Sequence, residues 1–328
     1  MTTAQASESF LEQADPYRRE LLAHCYRMLG SVHDAEDLVQ ETYIRAWRSY
    51  DKFEKRSSLR TWLYRIATNV CLTALDGRDR RPLPAGLGNP DADPRDPLDE
   101  RPEVLWLEPI PDAMAGFDES TADPATLVAS KESLRLALVA ALQHLPPRQR
   151  AVLVLRDVLR WKAAEVAELL ETSTAAVNSI LQRARAQLNE IHPTEETVEE
   201  PTAADQRELL DKYVSAFEAK DVQAIVSLFT QDAVFDMPPY AVWYRGPENI
   251  AHHLTHTCPV GPGEMRLIPT TANGGQPAFG TYWRHPQDGI YHPFNLVVLT
   301  LTKAGITHST SFFDHTLFAK FGLPTDPS

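Results

Sequence analysis

Residues 29–81, LGSVHDAEDLVQETYIRAWRSYDKFEKRSSLRTWLYRIATNVCLTALDGRDRR, constrain the fold more than any other stretch of the chain. Upstream of it, Tyr17, Leu21, Leu22, Cys25, Tyr26 and Leu29 recur at helical spacing, with Pro16 suited to a first helical turn. Gly30 ends that helix, and Ser31 or Asp34 can cap the next. In the following helix Leu38, Val39, Thr42, Ile44 and Ala46 supply the apolar positions, and Asp34, Asp37, Gln40 and Glu41 supply a polar face. The helix ends rich in rings and cations, with Tyr43, Arg45, Trp47, Arg48 and Tyr50. A polar loop, 51–58, leads to a second amphipathic helix carrying Arg60, Trp62, Tyr64 and Arg65, and the stretch closes on Arg78, Arg80 and Arg81. Arginines interleaved with aromatics suit single-stranded nucleic acid, because rings stack on bases while cations meet phosphates. The same spacing also suits an ordinary helical core with surface cations.

The order of these features resembles region 2 of the extracytoplasmic-function sigma factors, continuously across residues 15–81. The resemblance implies that Asp34, Asp37, Leu38, Gln40 and Glu41 grip core RNA polymerase, through the coiled coil of its β′ subunit. Acid against a basic coiled-coil flank would set register and on-rate more than affinity. The loop and adjoining helix of such factors receive a base flipped from the −10 element, which places Lys52, Phe53, Lys55, Arg56 and Ser57 at that base. Unstacking costs a few kcal/mol, so the pocket must return it by stacking and edge hydrogen bonds. Arg60, Trp62, Arg65 and Asn69 complete the −10 set; Trp62 serves either that face or the core.

A formal charge of −13 argues against a purely non-specific nucleic-acid binder unless charge is segregated. It is segregated: 82–124 and 193–211 hold much of the excess acid, while 125–192 is net basic. Cys25, Cys71 and Cys258 are far apart, with no CxxC, which points to reduced thiols rather than to a zinc ribbon or disulfide framework. The first residues lack an apolar signal core, and no run approaches 18 apolar residues. A cytoplasmic protein without a membrane span is expected.

Residues 82–124 carry nine prolines among many acids and read as a linker. One island within it, VLWLEPIPD at 104–112, has the apolar content to dock on a neighbour. Residues 125–192 follow with helices marked by Leu134, Leu138, Ala141, Leu142 and Leu145 and by LPPRQRAVLVLRDVL, Pro147 lying near a first turn. A helix-turn-helix pattern comes next: a short helix 163–170, a turn 171–173, and a recognition helix from Ser173 or Thr174. Val177, Leu181, Ala184 and Leu188 face the core at i, i+4, i+7 and i+11. This module resembles region 4 of the same sigma class, which implies −35 recognition by Ser173, Thr174, Asn178, Ser179, Gln182, Arg183 and Arg185. Glu171 departs from the small residue usual in that turn, and Asn178 and Ile180 depart from the usual Lys and Arg, so a weak or altered −35 preference is expected.

After a second acidic linker, 193–204, residues 205–328 read as two helices, a strand, a turn and helix at WYRGPENIAHHLTH, a hairpin turning at Asn273-Gly274, and two strands joined near 303–305. This part resembles the SnoaL-like, NTF2-like cone fold. Such cones enclose a pocket, for which Asp236, Tyr240, Trp243, His252, His253, Tyr282 and Asp314 are the main candidates, with Tyr244, His292 and Asn295 beside them. His252 and His256 share a helix face, but with no third ligand in sight no metal is expected, and no cofactor is implied.

The fold class expected is therefore multidomain: two all-α modules followed by an α+β cone. The function implied is a sigma subunit that binds core polymerase through its β and β′ subunits and reads promoter DNA at −35 and −10. The third domain would modulate it, with a small-molecule ligand in the cone or by packing alone. The alternative is an isomerase- or hydrolase-like enzyme using that pocket. A one-component regulator using only the helix-turn-helix leaves residues 29–81 unexplained.

Overall fold

The computed structural model describes residues 10–53, 57–87, 91–116, 124–191 and 201–327. The chain divides into two compact units, 1–81 with 107–193, and 82–106 with 194–328.

The first unit is helical. Its opening module comprises α1 (Arg18–Leu29), α2 (Val32–Ser49) and α3 (Leu59–Ala74). Gly30 ends α1 at φ +69°, and its amide donates to Tyr26 O. A Cβ there would lie 2.6 Å from the Leu107 side chain, so glycine serves both the turn and the close approach. The N-cap of α2 is Ser31, whose side chain accepts from the Asp34 amide. The buried stripe of α2 is Val32, Ala35, Val39, Thr42 and Ala46, spaced three and four apart. Ile44 falls off that stripe and is 42% exposed, and Leu38 is half-buried, so two expected core positions face outward.

The second helical module follows: α4 (Pro124–Glu132), α5 (Leu136–Leu142), α6 (Pro147–Leu153), α7 (Ala163–Leu169) and α8 (Thr174–Ile191). A π turn, Val154–Val158, extends α6. The two modules share one interior. The fully buried Arg27 donates to Ser133 Oγ (2.9 Å) and Ser130 O (3.1 Å). Arg150, 3% exposed, donates to Met28 O, Gln143 Oε1, Gln143 O and Leu145 O. Tyr64 of α3 meets Trp161 edge-on at 5.6 Å.

In the second unit, α9 (Ala203–Ala219) and α10 (Val222–Ser227) precede β1 (Phe229–Asp236) and a three-residue strand β2 (Trp243–Arg245) where only a turn was expected. Then come α11 (Gly246–His256), β3 (Met265–Ala272), β4 (Gln276–Arg284), β5 (Tyr291–Thr302), β6 (Gly305–Phe312) and α12 (Thr316–Lys320). The strands form one sheet in the order β2-β1-β6-β5-β4-β3, with only β1 and β6 parallel. The β3–β4 hairpin turns at Asn273 (φ +52°) and Gly274 (φ +83°), the left-handed pair that Asn-Gly favours. Tyr213 and Phe217 of α9, Ile250 and Leu254 of α11, and the inward residues of the strands make the core.

The proline-rich segment 82–106 is part of this unit. Ala85 N donates to Asp236 Oδ1, Ala92 N to Trp243 O, and Arg101 N to Pro239 O, while Ala241 N donates to Asp99 O. Ala92 and Leu98 pack on the domain's apolar core. Proline denies the segment an α-helix, leaving one 3-10 turn at Pro84–Leu87, and the amides of Ala85, Ala92 and Arg101 pair with the β1–β2 region instead.

Candidate functional site

Within the island, Leu107 and Ile110 are fully buried in the helical unit, and Glu108 reaches the α1–α2 junction. The Glu108 amide donates to Gly30 O (2.9 Å), and Tyr26 OH donates to Glu108 O (2.7 Å). Its carboxylate Oε2 accepts from Ser31 Oγ at 2.7 Å, from His33 Nδ1 at 2.9 Å and from the His33 amide at 3.3 Å. A carboxylate over the first turn of α2 answers the orphan amides and positive end of that helix. Nothing in the island's composition pointed to region 2 as its partner.

Of the five residues assigned to polymerase, Asp37 and Gln40 are exposed and Leu38 and Glu41 half-buried. Asp34 stands apart: its Oδ2 accepts from Arg78 (2.9 Å) and Arg81 (2.7 Å). Two of the arginines that close the 29–81 stretch thus hold the start of α2. The exposed Ile44 and Trp47 (43%) follow Gln40 by four and seven residues, so they extend its face. By sequence spacing Ile44 counts among the apolar positions of this helix, whereas the buried stripe of Val32, Ala35, Val39, Thr42 and Ala46 misses both residues.

The −10 candidates divide. Phe53 stacks on Trp62 with centroids 4.8 Å apart, and Tyr50 lies 6.3 Å from Phe53. Trp62 is half-buried in this aromatic shelf rather than in the core. Ser57 and Asn69 are exposed. Arg65 is half-exposed, 3.8 Å from Glu168 and from Glu171. Arg60 departs from expectation: its guanidinium clasps both Glu20 oxygens at 2.6–3.0 Å and covers the Tyr64 ring. Such a two-point ion pair, 35% and 11% exposed, fixes α3 on α1 and leaves Arg60 a structural cation. Lys55, Arg56 and the Lys52 side chain lie outside the described residues.

In the helix-turn-helix, Val177, Leu181 and Ala184 are buried, while Ser173, Thr174, Asn178, Ser179, Gln182, Arg183 and Arg185 are all exposed. Ser173 caps α8 by accepting from the Ala176 amide at 3.1 Å. Arg185 is paired with Asp157 at 2.6 and 2.9 Å. Glu171 sits at φ +51°, with the Thr172 amide donating to Ala167 O and the Glu171 amide to Glu168 O. This is the left-handed helix ending that glycine ordinarily supplies, so the departure noted in the turn falls on its most strained residue.

The cone encloses a cavity of about 320 Å³. Tyr240, His253 and Asn295 line it, together with Phe235, Met237, Thr281 and the linker residue Leu98. The other main candidates do not. Asp236 alternates with Phe235 and Met237 and so faces away; it is fully buried, accepting from His308 Nε2 (2.6 Å) and Ala85 N (2.9 Å). Tyr282 alternates with Thr281 and donates to Pro324 O. Trp243 is buried outside the lining, and His252 brings its ring within 4.5 Å of His256. Asp314 is exposed and accepts from the Thr316 amide at the start of α12. Of the lesser candidates, Tyr244 is buried beside His253, and His292 donates to Asp288. Burial, Lys220 and His252 lower the His253 pKa to about 4.

Family descriptions match these parts in order: sigma-70 region 2 at residues 14–81, sigma-70 region 4 at 135–188, and a SnoaL-like domain at 210–298. The chain is 56% identical over 317 residues to the ECF RNA polymerase sigma factor SigG of Mycobacterium tuberculosis H37Rv, covering 96% of this chain and 84% of that protein. The chain belongs to the extracytoplasmic-function sigma factors. SigW of Bacillus subtilis is 32% identical over 184 residues, covering 55% of this chain and 87% of SigW. The crystal structure of Mycobacterium tuberculosis SigJ has the same fold, with TM-score 0.60 and 23% identity across 96% of this chain and all of that one. As a sigma factor, the chain has regions 2 and 4 in its helical unit and the α+β domain as a C-terminal addition. None of its described helices is long and apolar enough to cross a membrane.

Proposed function

We propose that the chain binds core RNA polymerase through the outer face of α2, with Asp37, Gln40, Ile44 and Trp47 as the contact and Leu38 and Glu41 at its edge. Exposed apolar residues with Asp37 on their N-terminal side, and Glu41 paired with Arg45 at 2.6 Å, suit a partly apolar coiled coil of mixed charge. The Tyr50–Phe53–Trp62 shelf receives an unstacked −10 base, and Asn69 reads an edge nearby. The exposed side of α8 enters the major groove at −35: Thr174, Asn178 and Ser179 meet bases, and Arg183 meets phosphate. Arg65 reaches DNA only once it leaves Glu168 and Glu171. The observation that carries the proposal is the recognition helix itself, which buries Val177, Leu181 and Ala184 and leaves all seven polar candidates in solvent.

The C-terminal domain acts as a modulator, not a catalyst. Supporting this, segment 82–106, part of the connection between regions 2 and 4, is hydrogen-bonded to that domain. The enzyme alternative loses its carboxylate base, because Asp236 is committed to His308 and Ala85 away from the cavity, which leaves it His253 alone among the acid–base candidates named for the pocket. Run-off transcription with added core polymerase on a promoter library tests the proposal. Asn178→Ala should alter −35 preference, and deleting 201–328 should alter output across the whole promoter set; no change from either variant overturns the respective role.

A further inference from the structure

Among the described residues, no Asp, Glu, Lys or Arg side chain lines the cone cavity. Its wall is mainly apolar and aromatic, and includes Phe217, Phe235, Phe294 and Phe313. At about 320 Å³ it stands at the small end of ordinary ligand pockets. An ionised guest would be desolvated here without a counter-charge, which is costly, whereas a neutral ring would gain burial and edge or face contacts.

Its polar groups come from uncharged side-chain types, namely Tyr, Thr and Ser hydroxyls, the Cys258 thiol and the Asn295 amide, and from the His253 ring. Thr281 Oγ1 lies 2.6 Å from Asn295 Oδ1, which leaves the Asn295 amide NH₂ as that side chain's donor end. His253 is 6% exposed, and its Nδ1 is buried with no hydrogen-bond partner among the described residues. A buried, unpartnered imidazole nitrogen is costly and calls for an explanation. Burial and neighbouring Lys220 keep that ring neutral at physiological pH, able both to donate and to accept.

The cavity opens where Thr257 and Cys258 are half-buried and Pro259 is exposed, just beyond α11. Part of its wall does not belong to the cone sequence at all. Leu98 comes from the connecting segment, held by the antiparallel bridge between Glu100 and Tyr240, itself a lining residue, and by the Ala241 amide on Asp99 O. A guest that touches Leu98 therefore touches the connection that is covalently continuous with both halves of the sigma unit.

We propose that this cavity binds an uncharged, flat, mainly apolar molecule of one or two rings bearing a hydrogen-bonding oxygen, and that Leu98 couples its occupancy to the order of residues 91–101. The inference goes beyond promoter recognition and is read without it, by binding and exchange on the full chain.

The probes are 2-naphthol and 2-naphthoate, one framework with and without charge. Titration calorimetry should show saturable 2-naphthol binding, with 2-naphthoate weaker by at least about tenfold. Bound 2-naphthol should shield Cys258 from N-ethylmaleimide, read by peptide mass, while the fully buried Cys25 and Cys71 stay unmodified throughout. Hydrogen exchange over 91–101 should slow on binding in the natural chain and not in Leu98→Ala. Two filled variants, Val297→Trp within the cavity and Cys258→Trp at its mouth, should lose binding; the mouth position tolerates bulk should the inner one unfold. Equal binding of both probes, no saturable binding, or binding that survives in a folded filled variant overturns the site. Slowed exchange that persists in Leu98→Ala overturns the coupling.

Discussion

The Glu108 carboxylate lies 2.7 Å from the Ser31 hydroxyl, joining the proline-bounded island to the N-cap of α2. Ser31 Oγ in turn accepts from the Asp34 amide at 3.1 Å, so one hydroxyl serves the cap and the island together. Ser31→Ala removes both bonds and should cost about 1–2 kcal/mol. Glu108→Ala keeps the Ser31–Asp34 cap but removes three hydrogen bonds to the first turn of α2, from Ser31 Oγ, His33 Nδ1 and the His33 amide, and should cost at least as much. Thermal unfolding checks this, with a fall of a few degrees expected for Ser31→Ala and no smaller one for Glu108→Ala.

Arg27 places a cation in the shared interior of regions 2 and 4, on Ser130 and Ser133. Arg27→Ala leaves a void and unpaired buried acceptors, and should cost about 3 kcal/mol or more. Arg27→Met restores most of the volume and should cost clearly less. Urea denaturation of the two variants distinguishes packing from hydrogen bonding as the larger contribution.

His24 gives the helical unit a pH dependence. Burial first, and Arg27 second, push its pKa from 6.5 to about 3, and it hydrogen-bonds Thr68 at 3.0 Å. Below pH 6.5 the unfolded chain binds a proton that the folded His24 refuses. Stability from this group is therefore present in full above pH 6.5 and falls as pH drops toward 3. Its slope approaches about 1.4 kcal/mol per pH unit. Denaturation at pH 7.5, 6 and 5 should show the decline, and His24→Gln should flatten it.

Glu171 pays for its φ of +51° with backbone strain. Glu171→Gly should raise stability by up to about 1 kcal/mol, and Glu171→Val should lower it. Losing the exposed 3.8 Å contact to Arg65 matters little beside this, because such pairs contribute about 0–1 kcal/mol. Melting temperatures of the two variants should move in opposite directions.

How much of this was legible in the sequence depended on whether the deciding interaction was local. The helix-turn-helix was read within one residue at its inner boundaries, because caps and a 3.6-residue stripe act over a few positions. The Asn273-Gly274 turn was legible for the same reason. The placement of 82–116 was not. Prolines and acids describe what that segment cannot build alone, whereas its order comes from amides and apolar residues meeting distant partners, Leu98 in the cone and Leu107 beside Gly30. The cavity shows a third limit. Asp236 and Tyr282 were plausible by chemistry, but strand alternation turned Phe235, Met237 and Thr281 inward instead, and one-residue register is invisible when both faces are buried.

The central claim is that α2 presents a polymerase-binding face. The most direct measurement is the affinity of the purified full chain for core RNA polymerase by co-migration in size-exclusion chromatography, comparing the natural chain with Asp37→Lys and Trp47→Ala. Both changes lie on exposed positions and should leave the melting temperature unchanged. The account predicts stable co-migration for the natural chain and at least about tenfold weaker association for each variant. Failure of the natural chain to associate, or undiminished association of both folded variants, would contradict it.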